Sequence, residues 1–511
     1  MKYLLSVCLI GISLHFPAFA QGSADSLYFF KQERALTAWS MSNGTQLLNS
    51  AIYRTGKADI SFSGYDGHFR RAQQAETGTE AQVYTEGIST LNRFKFSGYF
   101  SFGRVWQDSL AWSAKGTGDD MTPYYYGSIK AGKFERLAYE MGGTAVYVLV
   151  NDRLYAGTNL NYRYRSSTRS VDPRPEIDQF DLEIAPELSL RLGKHLFGAA
   201  VKLGFGSENI NVDYKNPDFK LSLGYPDRIN YYLRGYGFLD KTRHGAQTDV
   251  KTKRLSGALV NYAGSAGRFD IRFRADYSHL LERNGKELTN SSRDTISNEF
   301  LLNKLDADIL MTGRSEAVNH QLSATFSFFD GYDHDLRLRA SSYFYNRTFV
   351  EGSYLARLVR KEISPEFGAG IIYDAVQRRD ISSAHFVDHS VVEPRIETNL
   401  YLSKGKGKWF SGVQLAYRIP VASSISVPQS QETVFTTGVV YPDYDYHTSS
   451  AVGISGELGY IAHSFLKQFN AGITGGVSYW SRTDEQLSFA NSTFVMGKSR
   501  FSFNASLNFY F

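Results

Sequence analysis

Phe501-Ser502-Phe503-Asn504-Ala505-Ser506-Leu507-Asn508-Phe509-Tyr510-Phe511 closes the chain. Phe501, Phe503, Ala505, Leu507, Phe509 and Phe511 take every second place, with Ser, Asn or Tyr between them. Strand side chains alternate between two faces, so this run predicts a strand with one greasy and one polar face. The alternation stops only because the chain stops.

The same period runs back to about residue 93. Phe94, Phe96, Phe100 and Phe102 alternate with Lys95, Ser97, Tyr99 and Ser101. Tyr139, Met141, Ala145, Tyr147 and Leu149 reach a tight turn at Asn151-Asp152, and Leu154, Ala156, Thr158, Leu160, Tyr162 and Tyr164 return. The polar faces are often charged: Arg163 and Arg165, then Asp181 and Glu183, then Arg268, Asp270, Arg272, Arg274 and Asp276, then Asp306 and Asp308. A soluble sandwich also alternates, but over shorter strands of about 5–6 residues. These runs last about 10–14 residues, the length a tilted strand needs to cross hydrocarbon. A charged face opposite a greasy one then reads as a wet lumen inside a lipid-facing wall.

Connection lengths agree. Short turns at 151–153, 193–195, 263–267, 313–318, 404–408 and 462–466 alternate with long links at 107–134, 166–177, 207–252, 282–302, 376–390, 420–449 and 481–498, apart from a shorter link at 329–335 and an irregular one at 347–362. Transmembrane barrels show this asymmetry, with short periplasmic turns and longer extracellular loops. The expected fold is an all-β, antiparallel up-and-down transmembrane barrel over residues 93–511, with about sixteen strands and a range of about fourteen to eighteen.

The N-terminus reads as a secretory signal over residues 1–20: Lys2, the mostly apolar stretch Tyr3–Ile12, and the small-x-small junction Ala18-Phe19-Ala20. Cys8, the single cysteine, lies inside it, so neither a disulfide framework nor thiolate chemistry is expected in the mature protein. Residues 21–92 lack the clear period and are expected to form a lead-in, a plug or an extra strand pair. With 56 basic against 51 acidic residues and no basic block, nucleic acid is not an expected partner. Mean hydropathy is −0.32, and no mature segment approaches the ~18–20 apolar residues of a membrane helix. The 34 Tyr and 36 Phe against only 12 Pro suit long paired strands with aromatic girdles.

The junction Ala18-Phe19-Ala20-Gln21, the Tyr-rich loops and the terminal Leu507-Asn508-Phe509-Tyr510-Phe511 together resemble uncharacterised outer-membrane β-barrel families of Bacteroidota. That resemblance implies a Gram-negative outer-membrane location and outer-membrane lipid as surroundings. It also implies recognition by the barrel-assembly machinery through Leu507, Phe509 and Phe511. It transfers no catalytic or ligand-binding residue. The chain departs from TonB-dependent transporters, which wrap about 22 strands around a plug domain.

Candidate lumen-lining groups are Arg163, Arg165, Asp181, Glu183, Arg268, Asp270, Arg272, Arg274, Asp276, Asp306, Asp308, Arg337 and Arg339. They read either as a polar conduit or as ion pairs that fill the lumen. Tyr124, Tyr125, Tyr126, Tyr441, Tyr444 and Tyr446 are candidate outer-loop binding residues, since exposed Tyr beside carboxylates suits a sugar or protein surface. Asp330, Asp333 and Asp335 beside His334 lack the length and glycine of a calcium loop, so no metal and no cofactor are expected. The pairs His389-Ser390, His447-Thr448 and His463-Ser464 are adjacent, and adjacent strand residues point apart, so catalysis is not expected. The expected function is passive or accessory transport of small polar or amphipathic solutes, beside a nutrient-uptake partner. The alternatives are an occluded structural barrel working through its Tyr-rich loops, and a lipid-modifying barrel enzyme.

Overall fold

The computed structural model describes residues 26–116, 121–221, 224–237, 239–241, 249–286, 295–405, 407–466, 469–489 and 492–511. The expected signal, residues 1–20, lies outside the described residues. Three short helices come first, α1 (Ser26–Phe29), α2 (Lys31–Met41) and α3 (Gly44–Asn49). Strands follow: β1 (Arg54–Gly67), β2 (Thr77–Leu91), β3 (Phe94–Leu110), β4 (Tyr124–Gly127), β5 (Gly132–Val150), β6 (Leu154–Arg169), β7 (Arg174–Leu192) and β8 (His195–Asp213). After α4 (Pro217–Leu221) come β9 (Tyr231–Arg234), β10 (Leu239–Lys241), β11 (Asp249–Ala266), β12 (Phe269–Lys286), β13 (Thr295–Arg314), β14 (Val318–Asp335), β15 (Tyr343–Leu358) and β16 (Ile363–Asp380). The chain ends with β17 (His385–Lys404), β18 (Gly407–Ser426), α5 (Tyr441–Thr448), β19 (Ala451–Leu466), β20 (Phe469–Arg482) and β21 (Ser499–Tyr510).

Among the described residues, 18 strands form one antiparallel barrel, with each wall strand paired to the next. The barrel closes where β1 pairs with β21, Lys57 opposite Tyr510 and Gly67 opposite Arg500. Gly56 and Phe511 exchange backbone hydrogen bonds of 2.7 and 3.0 Å at that seam. Strands β4, β9 and β10 stand apart as a small sheet. The expected barrel is the observed one, and its strand count sits at the top of the expected range.

The wall begins at Arg54 rather than at Arg93. The period is faint there because Ile60, Phe62, Val83 and Leu91 share the outward face with small groups: Gly56, Ala58 and Gly64 on β1, and Thr79, Ala81, Thr85 and Gly87 on β2. Elsewhere the outer face carries exposed large apolar groups such as Phe100, Leu188, Val201, Phe326, Ile396 and Leu507. Facing outward over many strands, they make the lipid-contacting belt of an outer-membrane barrel. Short turns use backbone conformations that suit them: Gly193 and Gly267 sit at φ 61° and 62°, where a side chain would be strained.

Candidate functional site

The lumen holds the chemistry. At its short-turn end the N-terminal helices enter the barrel. Asn43 caps α3, its side chain accepting from the Gln46 N–H at 3.0 Å. The first-turn amides of Gly44 and Thr45 have no partner within the helix, and both donate to the Glu187 carboxylate of β7 at 2.8 Å. The Thr45 hydroxyl meets the same carboxylate. Gln46 Nε2 donates to the Tyr262 carbonyl at 2.9 Å, while Leu47 is buried with Ile88, Val146, Tyr155 and Leu196.

Helix α2 crosses toward the other side. Gln32 Nε2 donates to the carbonyls of Asn319 at 3.1 Å and Leu355 at 3.3 Å. Lys31 pairs with Glu397 at 2.5 Å and Arg34 with Glu457 at 3.5 Å. Arg272 donates to Ser40 Oγ at 3.1 Å and to the Leu36 carbonyl at 3.4 Å. Tyr28 and Phe29 pack on Tyr401, Phe410, Ile461 and Tyr510. The segment sits inside the wall as a plug would, held by these polar contacts and by the buried Tyr28, Phe29 and Leu47. Half-exposed pairs of this kind contribute only about 0–1 kcal/mol each, while charge-assisted bonds to a buried carboxylate such as Glu187 contribute about 1.5–3 kcal/mol.

At the long-loop end a second body closes the barrel. Trp112, Tyr124, Tyr125, Tyr231, Leu233, Tyr236, Phe300, Tyr343, Tyr345 and Phe435 form one buried cluster. Tyr124 OH donates to Asp333 at 3.0 Å, Thr122 to Glu282 at 2.9 Å, and the Tyr236 N–H to Asp380 at 2.8 Å. Tyr124, Tyr125 and Tyr126 are therefore not exposed binding residues but strand residues of a cap, 1 %, 4 % and 5 % exposed. Tyr441 stacks on Phe489 at 4.0 Å and donates to Glu432, Tyr444 meets Phe489 edge-on, and Tyr446 lies under Arg418 and against Phe69. A Tyr-rich loop on this barrel folds inward because its rings bury more apolar surface there than in water. The acidic triplet also has a structural use. Asp333 accepts the Ser342 and Tyr343 amides at 2.7 and 2.6 Å, and Asp335 pairs with Arg234. Among the described residues no cluster of three or more metal-ligating side chains is found.

Between plug and cap the wall has two characters. From β5 round to β17 it is charged and paired. Arg165 pairs with Glu140 at 2.7 Å, and Arg163 stands in register between Glu140 and Asp181. Lys202 bridges Glu183 and Asp276 at 3.5 and 2.7 Å. Arg274 donates twice to Asp308 at 2.6 and 3.1 Å, and Asp306 pairs with Lys304 at 2.7 Å. Arg347 and Arg395 add pairs with Asp374 and Glu393. Lys202, Lys304, Arg347 and Arg395 were not among the expected groups, although each follows the same alternation. Three expected groups do not line the lumen. Arg268 lies in the short turn after Gly267, and Arg337 and Arg339 lie in the turn after β14, Arg337 with its side chain 63 % exposed. The alternation was carried past the strand ends there. Asp270 sits at the rim, accepting from Ser265 at 2.6 Å, and Arg272 is taken up by the plug.

From β17 through β21 to β1 the wall is small and mostly neutral. A cavity of about 510 Å³ lies against it, lined by Ser63, Asn399, Gln414, Ser455, Ser478, Ser502 and Asn504, with Lys31 and Arg34 of α2 and their partners Glu397 and Glu457. A separate depression of about 660 Å³ is lined both by the outward Trp106, Phe501 and Phe503 and by Tyr65, Gln107, Phe134 and Arg169. His385 Nε2 and Thr436 Oγ1 lie 2.8 Å apart, but both residues are fully buried.

Residues 45–511 match a family of unknown function, DUF6850. The chain belongs to that family. Its matched span covers every wall strand and begins inside α3 of the plug. No curated protein matches the chain. Among solved structures, the family member is similar to the ferric yersiniabactin uptake receptor FyuA from Yersinia pestis, with 8% identity and a TM-score of 0.42 over 90% of this chain and 81% of that one. It is also similar to the siderophore receptor PiuA from Acinetobacter baumannii, at 8% identity and a TM-score of 0.40 over 90% of this chain and 82% of that one. At such scores these likenesses carry no functional argument.

Proposed function

We propose that this outer-membrane barrel is a gated transporter for small polar solutes, closed at rest and opened by displacement of its N-terminal plug. One observation supports the reading above all. The plug is seated by reversible polar contacts, centred on Glu187, and beside it lies a polar cavity rather than a filled core. A permanently open pore suits the molecule less well, because plug and cap occupy both ends of the lumen. Solute, outer-membrane lipid and an uptake partner that draws on the plug are the partners this reading calls for.

Planar-bilayer recording of the full chain tests it. The wild type should conduct weakly, and Glu187→Ala combined with Arg272→Ala should raise open-state occupancy while the barrel keeps its folded mobility on unheated gels. No conductance from a folded, unlatched barrel would sink the transport reading. It would favour a closed structural barrel, which the buried aromatic cap already suits.

A further inference from the structure

We propose that the cavity against the β17–β1 wall is a binding site for a small, uncharged, polyhydroxylated solute such as a mono- or disaccharide. The proposal rests on the transport reading for its role, but its evidence is the cavity's own chemistry.

Beside the two charge pairs, the glycines and the apolar Val413, Val477 and Phe503, the lining groups are hydroxyls and primary amides. Each can donate and accept, which is what the alternating donor and acceptor positions of neighbouring sugar hydroxyls require. The two cations at the cavity are already matched: Lys31 lies 2.5 Å from Glu397, and Arg34 lies 3.5 Å from Glu457. A charged solute gains little from either pair and meets a like charge in each, whereas a neutral solute loses nothing. The opposite wall carries the belt of ion pairs.

Two glycines place the amides. A Cβ on Gly412 would stand 2.3 Å from Asn399 Oδ1, and one on Gly476 would stand 2.3 Å from Asn504 Oδ1. The absence of side chains at these two wall positions lets each asparagine lie flat across its neighbouring strand. Asn399 is held there by its Nδ2, which donates to Glu366 at 3.0 Å. The amides are thus oriented before any ligand arrives, which lowers the entropic cost of binding. At about 510 Å³ the cavity falls within the usual size of small-molecule sites, about 300–1,000 Å³.

Cys8 is the chain's single cysteine, so the mature protein accepts a clean reporter. Ser478→Cys, placed in the full-length Glu187→Ala, Arg272→Ala background, is labelled with a small maleimide. Sucrose or trehalose should slow labelling about tenfold at a concentration about ten times its dissociation constant. Glucuronate and glucosamine at equal concentration should not. Replacing Gln414 and Asn504 by Leu should abolish protection while labelling itself persists, and Lys202→Met on the charged wall should leave protection intact. Protection by the charged probes alone, by none of the probes, or a reporter that never labels in a folded barrel would each overturn the site. Conductance on unlatching without sugar protection defeats this site only; protection without conductance defeats the transport reading only.

Discussion

Glu187, on the barrel wall, accepts the backbone N–H groups of Gly44 and Thr45, each at 2.8 Å. A buried carboxylate thereby satisfies the amides that open α3, and the negative charge sits where the helix dipole favours it.

Replacing Glu187 by Ala should release α3 from the wall. The loss is on the order of 2–3 kcal/mol, since three charge-assisted bonds go, two from amides and one from the Thr45 hydroxyl, while the freed donors gain access to water. Hydrogen exchange at Gly44–Leu47 should accelerate strongly, with little change at the seam between β1 and β21. Unchanged protection in the plug would show that its apolar contacts suffice.

Acid should loosen the cap helix α5. Burial first, then the positive neighbours His389, Arg418, Arg71 and Arg378, hold the His447 imidazole well below its ordinary range. Its ring stacks on His389 at 3.9 Å, with Nε2 sealed from solvent. Above about pH 6.5 the ring is neutral whether α5 is docked or not. Below that, only the undocked state takes up the proton, so docking weakens by at most about 1.4 kcal/mol per pH unit until the docked ring titrates too. Hydrogen-exchange protection factors over 441–448, corrected for the intrinsic pH dependence, should fall between pH 7 and pH 5, and His447→Gln should flatten that dependence.

Asp333 ties three parts of the cap together through Tyr124, Ser342 and Tyr343. Asp333→Ala leaves those buried donors without an acceptor, at about 3 kcal/mol. Limited proteolysis should then cut within 111–130 or 231–237 first, in a chain whose barrel still resists. Cleavage no faster than in the wild type would mean that the aromatic cluster holds the cap by itself.

The seam predicts an assembly defect. Phe511 bonds Gly56 through both backbone groups, and a Cβ on Gly56 would stand 2.1 Å from the Phe511 ring. Phe511→Ala should lower the fraction of folded barrel recovered from the outer membrane, and Gly56→Val should act in the same direction by displacing the ring. Heat-modifiable gel mobility reads both, and wild-type recovery for Phe511→Ala would remove the terminal aromatic from the assembly signal.

The wall was legible because lipid imposes a strict rule. Wherever the outward residues are large, as with Phe100, Leu188 or Phe503, two-residue alternation marks the strand. The rule fades where small residues share the outward face, which hid β1 and β2. A plug was one of three readings for residues 21–92, and its helices escaped notice for a different reason. The buried residues of α2 are Gln32, Thr37 and Ser40, so docking leaves no apolar stripe to find. Tyr124–Tyr126 misled because a Tyr-rich link has the same composition whether it faces water or folds into the mouth. Arg268, Arg337 and Arg339 were placed on the charged faces because the alternation was carried past the strand ends into turns.

One consequence concerns time. Gln32 finds its acceptors at Asn319 and Leu355, and Lys31 finds Glu397. This helical segment therefore has no seat until residues hundreds of positions later are in place. Its helices must travel as an unpartnered leader and dock among the last events, once the sheet has curled round to meet itself. Its surface is polar along α2 and apolar at Tyr28, Phe29 and Leu47, and both kinds are matched only when Glu187, Glu397 and the wall rings converge around it.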